Sequence, residues 1–101
     1  MRSLILGLSF AVATLASAQA GVLDTVRQKG FLACGSNIGL AGFGLPDSKG
    51  EWTGLDVEFC RAMAAAIFND PTKVKFIPLT AKDRFTALQS GEVDVLARNG
   101  T

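Results

Sequence analysis

The residues able to do chemistry fall into a few small groups. Cys34 and Cys60 are the two cysteines, Asp56 and Glu58 form a close acidic pair, and Asp94 sits inside an apolar run. Arg98, Asn99, Gly100 and Thr101 make a polar stretch behind that run. No histidine occurs in the 101 residues, which removes the commonest general base and metal ligand, and most hydrolytic triads with them. The glycine-rich segment Gly35-Ser36-Asn37-Ile38-Gly39-Leu40-Ala41-Gly42-Phe43-Gly44 fits neither GxGxxG nor a phosphate-cradling loop ending in Lys-Ser/Thr. It also does not run straight into a helix start, as phosphate binding would want. Two readings of it stay open: a turn-rich surface loop, or a ligand-facing loop that brings Asn37, Leu40 and Phe43 over a pocket. Asp56 and Glu58 fall in the first turn of a predicted helix, where the helix dipole and capping account for them. Asp94 is expected to cap, or to bond backbone at the sheet edge. Asn99-Gly100-Thr101 has the form of a glycosylation acceptor, read as a chance match behind a leader of bacterial type.

That leader bounds the rest. Arg2 is a short positive start, residues 4–15 are apolar apart from Gly7, Ser9 and Thr14, and Ala18-Gln19-Ala20 has the small-x-small form that a signal peptidase cuts. The apolar run falls short of the ~20 residues needed to cross a bilayer. Residues 1–20 are therefore read as a cleaved signal peptide, and the mature part as starting at Gly21. It carries nine basic and nine acidic residues in scattered positions, a balance that argues against nucleic acid or an anionic membrane as partner. In an oxidising compartment Cys34 and Cys60 have one available pairing. A bridge would pin a helix to a sheet; two buried free thiols are the other reading.

Elements that would position these groups are legible from periodicity. Residues 22–28 read as a short helix stopped by Gly30, and residues 31–34 as an uncharged strand of the kind covered on both faces. Residues 35–50 read as a long loop, and residues 55–68 as a strong helix capped by Thr53 or Asp56. Val57, Cys60, Met63, Ala64 and Ile67 recur in that helix at helical spacing. Val74, Phe76 and Leu79 belong to a second strand. Thr80 with Asp83 resembles a capping box, ahead of a helix with Phe85 and Leu88 as its apolar stripe and Gly91 as its exit. Residues 93–97 are a third strand, and Arg98 to Thr101 follow its carboxyl end, where open α/β sheets bind ligands. Strands alternating with helices imply a parallel β-α-β-α-β arrangement through right-handed crossovers.

Several of these stretches carry a resemblance. They are Phe31-Leu32-Ala33-Cys34-Gly35, Trp52-Thr53-Gly54-Leu55-Asp56-Val57-Glu58, Phe76-Ile77-Pro78-Leu79, and the run from Asp83 to Leu96 that reads DRFTALQSGEVDVL. Together they resemble the opening of a periplasmic solute-binding protein of the polar amino-acid type, and within it the general L-amino-acid-binding proteins of ABC importers. The Cys34/Cys60 pair fits that subfamily. The resemblance implies two α/β lobes of the type II periplasmic-binding-protein fold, closing on a ligand. Residues 21–101 would form the N-terminal part of lobe one, truncated before the lobe is complete. It further implies that Asn37, Leu40 and Phe43 line the cleft, and that Arg98, Asn99 and Thr101 offer polar groups to the amino-acid backbone. Asn37 stands where many relatives carry an acid, and Leu40 where many carry an aromatic. Both differences suit broad side-chain specificity, because charge and cation–π selection are missing. The expected activity is capture of L-amino acids for a membrane permease, by a monomer without cofactor or metal and without chemistry on the ligand. An enzyme on the same scaffold, of the cyclohexadienyl dehydratase kind, would need a cleft acid, and Asp94 is the one candidate. The ligand-binding head of an exported sensor is the third reading.

Overall fold

The structure, a computed structural model, describes residues 21–99; the predicted leader (residues 1–20) and Thr101 lie outside the described residues. Helix α1 (Val22–Lys29) precedes strand β1 (Leu32–Ser36), whose five residues are all buried. Such a strand must sit in the middle of a sheet, and it does. Strand β4 (Val74–Pro78) and strand β5 (Val95–Leu96) pair with it in parallel on either side, in the order β4-β1-β5. Leu32 lies opposite Val74 and Ser36 opposite Pro78, while Cys34 lies opposite Val95. Helix α2 (Leu55–Phe68) and helix α3 (Arg84–Ser90) make the two crossovers. The β-α-β-α-β reading therefore holds for the sheet. Strand β1 runs two residues beyond the expected end, because Gly35 and Ser36 still bond their neighbours: their carbonyls accept the N–H groups of Ala97 at 2.9 Å and Leu79 at 3.0 Å.

Side chains alternate between the sheet's two faces. On one face Cys34, Ala97, Val74, Phe76 and Val95 pack with Cys60 of α2. On the other, Ile77, Leu79, Val93 and Leu96 pack with Ala87 of α3. Cys34 and Cys60 form a disulfide between β1 and α2, 26 positions apart and fully buried. Of the residues expected on the inner side of α2, Val57, Cys60 and Ala64 are buried, and Met63 and Ile67 are half-buried. The stripe expected on α3 is not the buried one. Phe85 and Leu88 are exposed, and Ala87 faces the sheet. Space explains this: Leu79, Val93 and Leu96 already crowd the side-chain position above Gly35, so only a small residue fits beneath the helix. Gly91 ends α3 in the left-handed conformation, as expected.

Part of the expected loop is ordered instead. Strand β2 (Leu45–Pro46) and strand β3 (Trp52–Thr53) pair antiparallel. Asp47 shapes their turn by accepting the N–H groups of Lys49 at 2.8 Å and Glu51 at 2.9 Å. Trp52 stacks on Phe76 with ring centres 5.7 Å apart, and Arg61 lies over the same Phe76 ring while donating to the Trp52 carbonyl at 2.8 Å. After α2, the hydroxyl and N–H of Thr72 bond Asp70 and hold its carboxyl below the usual value. The support this gives the turn is thus present above the ordinary carboxylate pKa and fades as pH falls through the lowered one.

Asp94 does what the sequence suggests. Its carboxylate accepts the Ala33 N–H at 2.8 Å and the Lys29 ammonium at 2.6 Å, and its own N–H donates to the Ala33 carbonyl at 2.8 Å. The carboxylate thereby extends the ladder by one rung at the amino end of the sheet. Asp94→Ala would leave a buried N–H and a cation without their acceptor, and should lower unfolding stability by about 2 kcal/mol. Asp94→Asn keeps an oxygen for Ala33 and should lose about half as much. Urea unfolding midpoints of the two variants check the order; equal losses would mean that the Ala33 bond contributes nothing.

Candidate functional site

Three parallel strands end on the same side, so the segments after β1, β4 and β5 gather at one rim. The segment after β1 is set by α2. Gly54 caps that helix without a side-chain bond. Instead the N–H groups of Leu55 and Asp56 donate to the carbonyls of Gly42 and Phe43, each at 2.9 Å. Neither Thr53 nor Asp56 is the cap; the Thr53 hydroxyl donates to the Leu45 carbonyl at 3.1 Å. Loop carbonyls aimed at a helix amino end satisfy its orphan donors and meet its positive pole. The loop closes on itself as well, with Leu40 and Gly44 exchanging N–H···O bonds of 3.0 and 2.9 Å. Leu40 and Phe43 are held with their side chains exposed, and Ile38, which sequence reasoning passed over, is exposed beside them.

The polar residues meet behind this apolar edge. Asn37 Nδ2 donates to Asn99 Oδ1 at 2.7 Å, and Asn37 Oδ1 accepts the Ile38 N–H at 2.8 Å. Arg98 Nη2 donates to the same Asn99 oxygen at 2.9 Å, and its Nη1 donates to the Leu79 carbonyl at 2.5 Å. Of the six residues expected at the site, Asn37, Arg98 and Asn99 thus form one network. Leu40 and Phe43 stand on the loop beside it, and Thr101 lies outside the described residues.

Arg84 is a member that sequence reasoning missed. Its Nη1 donates to the Asn99 carbonyl at 3.3 Å and its guanidinium lies over the Phe85 ring. The available signal was its place: a cation at the first position of a helix opposes the dipole and asks for a reason. Thr80 and Asp83 pair just ahead of it, the hydroxyl donating to Asp83 Oδ2 at 2.8 Å. This pair shapes a turn before α3, and Asp83 is the residue at the cap position. Asp94 lies at the opposite end of the sheet, so it is not an acid of this rim.

A family description, bacterial extracellular solute-binding proteins of family 3, matches residues 32–101, a span that includes the whole rim network. The chain belongs to that family. Three relatives illustrate how this family 3 solute-binding chain compares. The general L-amino acid-binding periplasmic protein of Rhizobium johnstonii is 53% identical over 105 residues, covering 100% of this chain and 31% of the relative. The glutamate/glutamine/aspartate/asparagine-binding protein of Rhodobacter capsulatus is 56% identical over 95 residues, covering 92% and 28%. An ABC transporter periplasmic binding protein from Brucella ovis, solved with glutathione bound, is 68% identical with a TM-score of 0.76, covering 79% and 25%. The chain therefore spans about a third or less of the length of these relatives. All three are named as binding proteins.

Proposed function

We propose that residues 21–101 are the opening part of one lobe of a two-lobed periplasmic solute-binding protein that captures L-amino acids for an ABC permease. The observation that carries this is the rim itself, where exposed Leu40 and Phe43 stand beside the joined Asn37, Arg98 and Asn99 at the carboxyl ends of parallel strands. Apolar groups with a few placed polar ones are what a small zwitterion with an aliphatic side chain requires. The names of the relatives support the same reading. Leu40 and Phe43 face the ligand's side chain. Asn37 keeps that wall uncharged, which with a leucine in place of an aromatic lid admits several side chains. Arg98, Asn99 and Thr101 supply the polar side. The protein acts as a monomer, with the leader removed after Ala20. An enzyme reading is disfavoured because Asp94, the acid it would use, lies at the wrong end of the sheet.

A chimera tests this, with residues 32–99 replacing the matching stretch of the Brucella ovis relative. Calorimetric titration with glutamate, glutamine, leucine and arginine should give micromolar binding of several amino acids by the chimera. The 101-residue chain should give none, because a zwitterion held from one side keeps its charges only partly satisfied. Micromolar binding by the chain alone would remove the two-lobe reading, and a chimera that folds yet binds no amino acid would remove the assignment.

A further inference from the structure

Arg98 is placed unusually for a surface cation. It follows β5, yet its Nη1 reaches the carbonyl of Leu79, which follows β4. Those two strands flank β1 on opposite sides and so lie roughly 10 Å apart. The guanidinium therefore lies across the carboxyl end of the central strand, on the floor of the rim. Both acceptors that its terminal nitrogens meet among the described residues, the Leu79 carbonyl and the Asn99 amide, are neutral. Its Nε is buried and meets no acceptor. The ion pairs among the described residues join Lys29 to Asp94 and Arg61 to Glu58, and neither includes Arg98. Asp83, the acid nearest in sequence to this network, is bonded to Thr80. Arg84 brings a second guanidinium to Asn99.

Arg98 is half-buried and has no counterion among the described residues, an arrangement that is unfavourable and that leaves its field less screened than in bulk water. We infer that Arg98 is a specificity-determining residue: it makes the cleft favour amino acids that carry a second carboxylate and disfavour those with a basic side chain. The inference rests on the amino-acid reading above and narrows it. Neutral side chains remain acceptable, since neither Leu40 nor Asn37 opposes them. The α-carboxylate, common to every ligand, contributes equally to all and so does not blur the comparison.

The chimera described above, titrated with glutamate, glutamine, leucine and arginine, reads this out. In the unsubstituted protein glutamate should bind at least about tenfold more tightly than arginine, the worth of one charge-assisted contact. Arg98→Met should lower the glutamate-to-glutamine affinity ratio about tenfold and raise the arginine-to-glutamine ratio. Arg98→Lys keeps the charge and should keep the order of ligands, even where every affinity falls because the bridging fork is lost. Arg98→Met weakening all four ligands by the same factor would overturn the inference, leaving Arg98 as a structural tie or a contact to the α-carboxylate alone. Should that variant fail to fold, the unsubstituted protein still decides, because arginine binding as tightly as glutamate overturns the inference without any substitution. Absence of binding for all four ligands is a distinct result, which removes the amino-acid reading and this inference with it.

Discussion

Replacing Gly54 with alanine should destabilise the fold by about 3 kcal/mol or more, the range of strained backbone combined with a buried clash. Gly54 has φ 120° and ψ 172°, a region that residues with a β-carbon essentially do not enter. A β-carbon there would also run into the backbone nitrogen and carbonyl of Phe43. Neither side can move away easily. The Phe43 carbonyl is bonded to the Asp56 N–H, and the Gly42 carbonyl to the Leu55 N–H, so a shift of the loop undoes the start of α2. Gly39 in the same loop is the control. A β-carbon there meets nothing within 4 Å, and Gly39→Ala should stay within about 0.5 kcal/mol of the parent. Urea unfolding of both variants measures the difference; similar midpoints would mean that the contact between loop and helix is not a constraint on the fold.

The second large effect concerns the bridge. Cys34 and Cys60 are both fully buried, and their link closes a span of 26 positions. In the chain-entropy account such a closure stabilises by about 3 kcal/mol, and a small parallel sheet with modest burial has little margin to lose. Cys34→Ala with Cys60→Ala should lower the unfolding free energy by that amount, and periplasmic material should weigh two hydrogens less than the dithiol form. A loss under 1 kcal/mol, or full thiol labelling of the unfolded, unreduced protein, would contradict the bridge.

Long periodic elements were legible in the sequence because their signal is repeated. Helix α2 has the bounds that its apolar spacing predicts, and β1 betrayed its central position by lacking charge. Two-residue strands have no period to read, and Pro46 argued against a strand, so the β2–β3 hairpin was invisible. Phe85 misled for a different reason: its burial depends on how much room Leu79, Val93 and Leu96 leave above Gly35, which is a tertiary fact. At the rim the resemblance nominated Asn37, Arg98 and Asn99, but not their mutual bonds. The partners of the Asn37–Asn99 bond are 62 positions apart, and only folding decides which way each amide turns. That orientation matters for redesign. Asn37→Asp would place a carboxylate beside Asn99 Oδ1 and the Arg98 guanidinium, which would already compensate its charge.

The loop that carries Leu40 and Phe43 is fastened at both ends, by the disulfide behind it and by the amino end of α2 in front. A flap tethered in this way has little freedom left to lose when something lands on it. Ordering a mobile side chain or loop segment at an interface opposes association by about 0.5–1.5 kcal/mol per immobilised side chain. Here folding has already fixed the loop's backbone, while the exposed side chains of Leu40 and Phe43 keep their freedom. The backbone of this apolar edge is preorganised, so anything that lands on it would have to order side chains but not the loop.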